Sequence, residues 1–356
     1  MTTPFTHDQP PARIVFGPGT LDRLDDELER LGVWRAVVIH GRSTAAFAER
    51  LSGDRWAGAI SEVRRHVPAE LADRARDRVA ELAADGLVAL GGGSAIGLAK
   101  AVALTAKLPI VAVPTTYSGS EMTTLYAVSE GGRKRTGRDE AVRPRTVVYD
   151  PELSRDLPLA VSGPSAMNAL AHCIDALWAP AATPVTTLLA EEGARAVREG
   201  LDAIVAAPDD LEGRGRLLYG AALAGWALGI AGVALHHKVC HVLGGMFDLP
   251  HAETHSAVLP QVTARNAPLT PAPAARLAAA LGTADLATGV YDLAERVGSP
   301  TSLRALGLRE QDLGSAAAAV AEATGEPLNS TRDLLQRAWA GTRPERTDAA
   351  RPDGES

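Results

Sequence analysis

The chain has 356 residues, 46% of them hydrophobic and 4% aromatic, with two cysteines and a formal net charge of −7. That length suits two domains with a sizeable core, and the acidic balance argues against nucleic-acid or anionic-membrane partners, which require basic surfaces. Two widely separated cysteines make no disulfide framework, and neither a signal segment nor a membrane-spanning apolar run is present, so a cytoplasmic location is expected.

In chain order, ARIVF predicts a strand closed by the turn at Gly17 to Gly19, and Leu21 to Leu31 has helical spacing. Arg35 to His40 is an apolar run suited to a buried parallel strand. Gly41, Arg42 and Ser43 follow it, where dinucleotide folds contact the adenosine ribose. A carboxylate there would favour NADH and repel a 2′-phosphate, and its replacement by Gly41 and Arg42 leaves both NADH and NADPH open. Ala57 to Val63 predicts a strand and Ala69 to Ala84 a helix. Leu87 to Leu90 then predicts a strand running into Gly91, Gly92 and Gly93, followed by Ser94 and a helix that carries Gly97. Glycine allows a pyrophosphate close to the backbone, and a new helix points its free N–H groups at the anion, so this is a candidate phosphate cradle. Ile110 to Val113 predicts another strand. The hydroxyl-rich loop after it, with Thr115, Thr116, Tyr117, Ser118 and Ser120, is a second candidate cofactor contact. Leu125 to Asp150 predicts two strands joined around Gly131 and Gly132. The basic run from Arg133 to Arg138 reads as a solvated face from which Lys134 can reach ribose or phosphate.

Past Leu157 the pattern turns helical. Residues 1–157 are expected to form an α/β dinucleotide-binding domain, 158–342 an all-α catalytic domain, and the charged, Pro- and Gly-containing 343–356 a disordered tail. Helices are expected at Leu188 to Ala206, Leu211 to Ile230, Ala274 to Leu281 and Tyr291 to Val297, with two more before Trp339.

Five of the nine histidines, His236, His237, His241, His251 and His255, fall within Leu235 to His255. A helix over Gly232 to Leu243 would put His237 and His241 on one face. Gly244, Gly245 and Pro250 predict a break that lets His251 fold back toward them. Ser165 to Leu177 places Asn168 and His172 at the same four-residue spacing. The set has the form of a metal cage carried on helices, but Asn168 contributes a neutral amide where a divalent ion gains from a carboxylate. Metal is therefore expected to be absent. If bound, its ligands would be Asn168, His172, His237 and His251. Cys173 and Cys240, each beside a site histidine, read as small packing residues.

GGGSAIGLAK, PTTYSGSE, DPEL, MNALAHCIDAL, HHKVCHVLGG and LPHAETH together resemble the iron-containing alcohol dehydrogenase superfamily from about Phe16 to Trp339. Asn168, Gly97, the HHKxCH string and the TGRDxxVRPRTVVYDPEL stretch are similar to its maleylacetate-reducing branch. That resemblance implies the fold of the iron-containing alcohol dehydrogenases and dehydroquinate synthase, an active site between the two domains, and a homodimer. It also implies NADH- or NADPH-dependent reduction of the carbon–carbon double bond of 2-maleylacetate, a dicarboxylate keto acid, to 3-oxoadipate in aromatic-compound breakdown. His241 or His251 would then be the proton donor, with His172 and His237 shaping the pocket and Lys238 a candidate contact for a carboxylate. The alternatives are a zinc- or iron-dependent alcohol dehydrogenase or carbonyl reductase, a reductase recruited to another enone or keto acid, a lyase that recycles bound NAD, and a non-catalytic role.

Overall fold

The computed structural model describes residues 13–130 and 133–345, without the side chains of residues 133 and 134. The expected tail lies outside the described residues from 346 onward. Among the described residues eight strands are formed: β1 (Arg13–Phe16), β2 (Ala36–His40), β3 (Trp56–Ile60), β4 (Gly86–Gly91), β5 (Ile110–Pro114), β6 (Leu125–Glu130), β7 (Arg133–Arg138) and β8 (Thr146–Tyr149). The first half also carries α1 (Leu24–Arg30), α2 (Ala45–Ala48), α3 (Ala69–Glu81) and α4 (Gly93–Ala106).

Six strands make one parallel sheet in the order β1-β8-β5-β4-β2-β3. Alternation along each buried strand feeds two separate cores. Val37, Ile39, Leu87 and Ala89 pack with Leu71, Ala75 and Ile96 on one face, whereas Val38, Val88, Leu90 and Val111 pack with Leu24 and Leu28 on the other. Helices on both faces define a doubly wound α/β unit. Because every strand runs the same way, the loops after β2, β4 and β5 emerge at one edge, where such sheets bind ligands.

The second half is helical: α5 (Leu159–Trp178), α6 (Pro184–Ala206), α7 (Leu211–Ala231), α8 (Leu235–Phe247), α9 (His251–Asn266), α10 (Pro271–Ala280), α11 (Leu286–Arg296), α12 (Leu313–Thr324) and α13 (Leu328–Ala340). Its largest core is built from α5, α6 and α7 around residues such as Leu170, Val197 and Leu218. Among the described residues no single helix is long and apolar enough to cross a membrane.

Three expectations need correction. Thr146–Tyr149 is not part of the hairpin around residues 131 and 132: β6 pairs with β7 antiparallel, while β8 returns to the main sheet between β1 and β5. The strand expected at Ala57 to Val63 starts and ends earlier, at Trp56 and Ile60. Gly244 and Gly245 do not break their helix. Burial of Val239 and Leu243 in an apolar cluster with Val258 and Val262 offsets the roughly 1 kcal/mol that an interior glycine costs. The turn falls instead at Asp248, which caps α8 in the left-handed region with φ 50°.

Candidate active site

The cofactor candidates assemble at the carboxyl edge of the sheet. Gly91 ends β4 with φ 150°, and Gly92 caps the 14-residue α4, so first-turn N–H groups of a full-length helix open beside the loop. A Cβ at Gly92 would lie 2.9 Å from the Thr116 side chain, and one at Gly97 would lie 2.9 Å from Val67. The glycines thus keep a narrow space free between two loops. Gly41 opens the short turn after β2, where Thr44 Oγ1 donates to the Leu90 carbonyl at 3.1 Å and ties that turn to β4. Arg42, Ser43 and Gly93 are exposed, Ser94, Thr116 and Ser118 are half-buried, and Thr115 is buried. These residues converge from three strand ends. Lys134 lies in β7, and its side chain is outside the described residues.

Behind the Ser118 loop stands a buried polar network. Glu121 accepts from Tyr149 Oη at 2.9 Å and from Ser118 Oγ at 3.1 Å, and burial pushes its pKa up. The Lys100 ammonium donates to the carbonyls of Ser120, Thr123 and Leu125 and to Thr123 Oγ1, at 2.6 to 3.0 Å. Burial still pushes its pKa down to about 7.

The same loop meets the helical half. Asn168 Nδ2 donates to the Ser118 carbonyl at 3.2 Å, and Tyr117 N donates to Ser165 Oγ at 2.9 Å. Gly119 adopts φ 69°, and a Cβ there would lie 2.9 Å from His172 Nδ1. A Cβ on Gly225 of α7 would lie 2.1 Å from the Gly119 carbonyl oxygen. Two glycines therefore let the cofactor-side loop press directly against the histidine cluster.

That cluster combines α5, α8 and α9. Asn168, His172 and Asp175 lie on one face of α5, and all three are buried. Asp175 accepts from the Ala234, His236 and His237 backbone N–H groups at 2.7 to 3.4 Å, and from His237 Nδ1 at 2.7 Å. It therefore fastens the start of α8 and fixes the His237 tautomer. Burial works to raise the Asp175 pKa, but the His237 hydrogen bond and the neighbouring donors outweigh it and hold the carboxyl below its usual range. Ring centroids of His172 and His237 are 5.0 Å apart, those of His237 and His241 6.1 Å, and those of His241 and His251 6.2 Å in a stacked pair. His251 is exposed and His241 half-buried, so the cluster reaches solvent at its α9 end. Burial, with His237 next, drives His172 well below its ordinary pKa. It does the same to His255, where His251 is the next cause, and pushes His236 down to about 3.

Sequence reasoning missed Asp175, although it sits seven residues after Asn168 and three after His172, on the same helix face. It also left His236 and His255 without a role. Lys238, expected as a candidate carboxylate contact, is exposed on α8 between the buried His237 and Val239.

The donor set can be tested against a metal. Asn168 Oδ1, His172 Nδ1 and His237 Nε2 are buried without a protein partner among the described residues, and His237 has the carboxylate support common for a metal-bound imidazole. Yet no donor in that set is anionic. Among the described residues, the group of three His, Cys, Asp or Glu side chains whose ligand atoms lie within 4.8 Å of one another is His236, Cys240 and His255, not His172, His237 and His251. The cage fits a divalent ion poorly.

A parallel α/β sheet, a glycine cradle and a helical half carrying a histidine cluster define a dinucleotide-dependent oxidoreductase architecture. The iron-containing alcohol dehydrogenase profile matches residues 11–151, and the C-terminal profile of the Fe-containing alcohol dehydrogenase family matches 163–334. The chain belongs to the iron-containing alcohol dehydrogenase family. Within it, the chain is 47% identical over 312 residues to a maleylacetate reductase of Pseudomonas knackmussii, covering 87% of this chain and 89% of that protein. It is 44% identical over 349 residues to one of a Pseudomonas species, covering 96% and 99%. The crystal structure of maleylacetate reductase from Agrobacterium tumefaciens superimposes with a TM-score of 0.91 at 41% identity, covering 96% of this chain and all of that one.

Proposed function

We propose that the protein reduces the carbon–carbon double bond of 2-maleylacetate to 3-oxoadipate with NADH or NADPH, in the breakdown of aromatic compounds, without a catalytic metal. The observation that carries this reading is near-full-length identity of 44 to 47% to maleylacetate reductases. The neutral Asn168 within a histidine cluster supports the metal-free form.

A reduced nicotinamide, when bound, would supply a hydride to one carbon of the alkene. Electron density then moves toward the conjugated ketone, and the resulting enolate takes a proton on the adjacent carbon. His241 or His251, stacked at the solvent end of the cluster, holds that proton and delivers it. His172 and His237, both buried, shape the pocket, and Asn168 joins it to the cofactor loop. Gly91, Gly92, Gly93, Ser94 and Gly97 would admit the pyrophosphate. Gly41, Arg42 and Ser43 would take the adenosine ribose, and Thr115, Thr116 and Ser118 the nicotinamide side.

In this reading residues 1–157 bind the dinucleotide and 158–342 complete the site. A cytoplasmic homodimer is included: β1 is an edge strand, with Ile14 39% and Phe16 44% exposed. Oxidation of NADH and of NADPH, followed with maleylacetate and with a panel of aldehydes, tests the reaction. One reduced nicotinamide consumed per maleylacetate, insensitive to chelators, is the expected result. Preference for aldehydes with loss of turnover on chelation would favour a metal-dependent alcohol dehydrogenase.

A further inference from the structure

Glu121 and Tyr149 are fully buried behind the loop that follows β5, and the reaction scheme above gives neither a role. Glu121 accepts from Tyr149 Oη at 2.9 Å through Oε1 and from Ser118 Oγ at 3.1 Å through Oε2. The Ser118 carbonyl in turn accepts from Asn168 Nδ2 at 3.2 Å. Three hydrogen bonds therefore run from Tyr149, the last residue of β8 in the parallel sheet, through Glu121 and Ser118 to Asn168 of α5, one turn before His172.

Ser118 is the middle of that line, and it also borders the glycine cradle. A Cβ on Gly93, in the first turn of α4, would lie 3.7 Å from Ser118 Cβ and 4.0 Å from its Oγ. The Ser118 hydroxyl is thus tied to the sheet side and its carbonyl to the helical half, so the placement of this one residue relates the cradle to the histidine cluster.

A carboxylate is a costly group to bury at this point. Its hydration is lost, and the Lys100 ammonium, engaged with the carbonyls of Ser120, Thr123 and Leu125, favours the charged form only from a distance. An apolar side chain of similar size would fill the space without that cost. It would not accept a hydroxyl on each of two oxygens at once, which is what fastens Ser118 to the end of β8.

We propose that Glu121 is a positioning residue for hydride transfer, which through Ser118 sets the separation between a dinucleotide held at the cradle and the cluster that begins with Asn168 and His172. This rests on the reading of the chain as a nicotinamide-dependent enone reductase. Glu121 itself touches neither substrate nor cofactor. Misplacing reacting groups by about 1 Å can cost about 10²-fold in rate, so a small shift of Ser118 suffices.

A double-mutant cycle between Glu121→Leu and Ser118→Ala tests the coupling, with kcat for maleylacetate and the dissociation constant for NADH measured on all four proteins. In the otherwise wild-type chain, Glu121→Leu is expected to lower kcat by about tenfold or more while NADH affinity stays near wild type; in the Ser118→Ala background it is expected to lower kcat no further. A loss by the same factor in both backgrounds would show that Glu121 acts without Ser118 and would overturn the proposal. So would wild-type kcat in Glu121→Leu, or a loss of NADH affinity as large as the loss of kcat. Should Glu121→Leu fail to fold, Tyr149→Phe takes its place in the cycle, because it removes the far hydroxyl and keeps the ring, and the same outcomes decide. If the wild-type protein does not reduce maleylacetate, the functional reading fails, and the cycle is read from the fluorescence emission of bound NADH. A change of emission on Glu121→Leu that disappears in the Ser118→Ala background is then expected, and an emission unaltered by Glu121→Leu would overturn the positioning role as well.

Discussion

At the residue scale, the chemistry depends on which imidazoles meet solvent and which are sealed. His251 is exposed and His241 half-buried, whereas His172, His236, His237 and His255 are buried. In the proposed reaction, proton delivery is therefore assigned to one of the first two. His241→Ala and His251→Ala should each lower kcat by about 10²-fold or more while leaving nucleotide affinity close to wild type, measured by steady-state kinetics and by NADH fluorescence titration. Unchanged turnover in both variants would move the proton donor elsewhere. Asn168 presents a second test. Its Oδ1 has no protein partner among the described residues, and Asn168→Asp would add the anion that the donor set lacks. Zinc affinity by calorimetry should rise about tenfold or more, since ligand charge governs such sites; equal affinity would show that the three imidazoles cannot close around an ion.

At the element scale, the site depends on how α5, α7 and the loop after β5 approach one another. Gly119 and Gly225 make that contact at a distance that no side chain would permit. Gly225→Ala should push the loop away from His172, lowering kcat/KM by about tenfold or more and costing about 1–3 kcal/mol in stability, read by kinetics and urea unfolding. A variant with wild-type kinetics would mean that the loop position does not matter to catalysis. Much of this scale was legible beforehand. The four-residue spacing of Asn168 and His172, and of His237 and His241, pointed to helices that do form, and the strand-turn-helix around Gly91 to Gly93 is present as β4 and α4. The break expected at Gly244 and Gly245 was wrong, because tertiary burial of Val239 and Leu243 outweighs local glycine propensity. Asp175 was readable as part of the α5 face, but its partners lie about sixty positions further along the chain, and only folding reveals them.

At the scale of the whole molecule, one buried basic side chain holds the halves in register and another braces the first half. Arg214 of α7 donates to Tyr117 Oη at 2.9 Å, Ser162 Oγ at 2.7 Å, and the Leu157 and Pro208 carbonyls at 2.8 and 2.7 Å. It thereby bridges the loop after β5 to the first helices of the second half. Lys100 acts only within the first half, pinning the chain between Ser120 and Leu125 to α4. The folded pKa of Lys100, about 7, lies below its ordinary value of 10.5. Between those values the unfolded chain binds the extra proton, so its contribution to stability grows as pH rises from about 7 and is lost as pH falls through the folded value. Lys100→Met should flatten that rise in urea unfolding at pH 7 and pH 9. It should also cost about 2–3 kcal/mol at the higher pH, where buried carbonyls lose their donor. An unaltered pH slope would show that another group carries the dependence.

The sequence alone determined the α/β and helical halves, the glycine turn between β4 and α4, the histidine segment and the kinship that points to maleylacetate, because periodicity, glycine clusters and short motifs are local properties of the chain. It also showed that Asn168 brings no charge to the cage. Only the tertiary structure decided that Asp175 sets the tautomer of His237, that His236 pairs with His255, and that Gly119 meets Gly225. Hydrogen-bond direction and close backbone approach arise between segments far apart in sequence, and nothing in the spacing of residues along one segment records them.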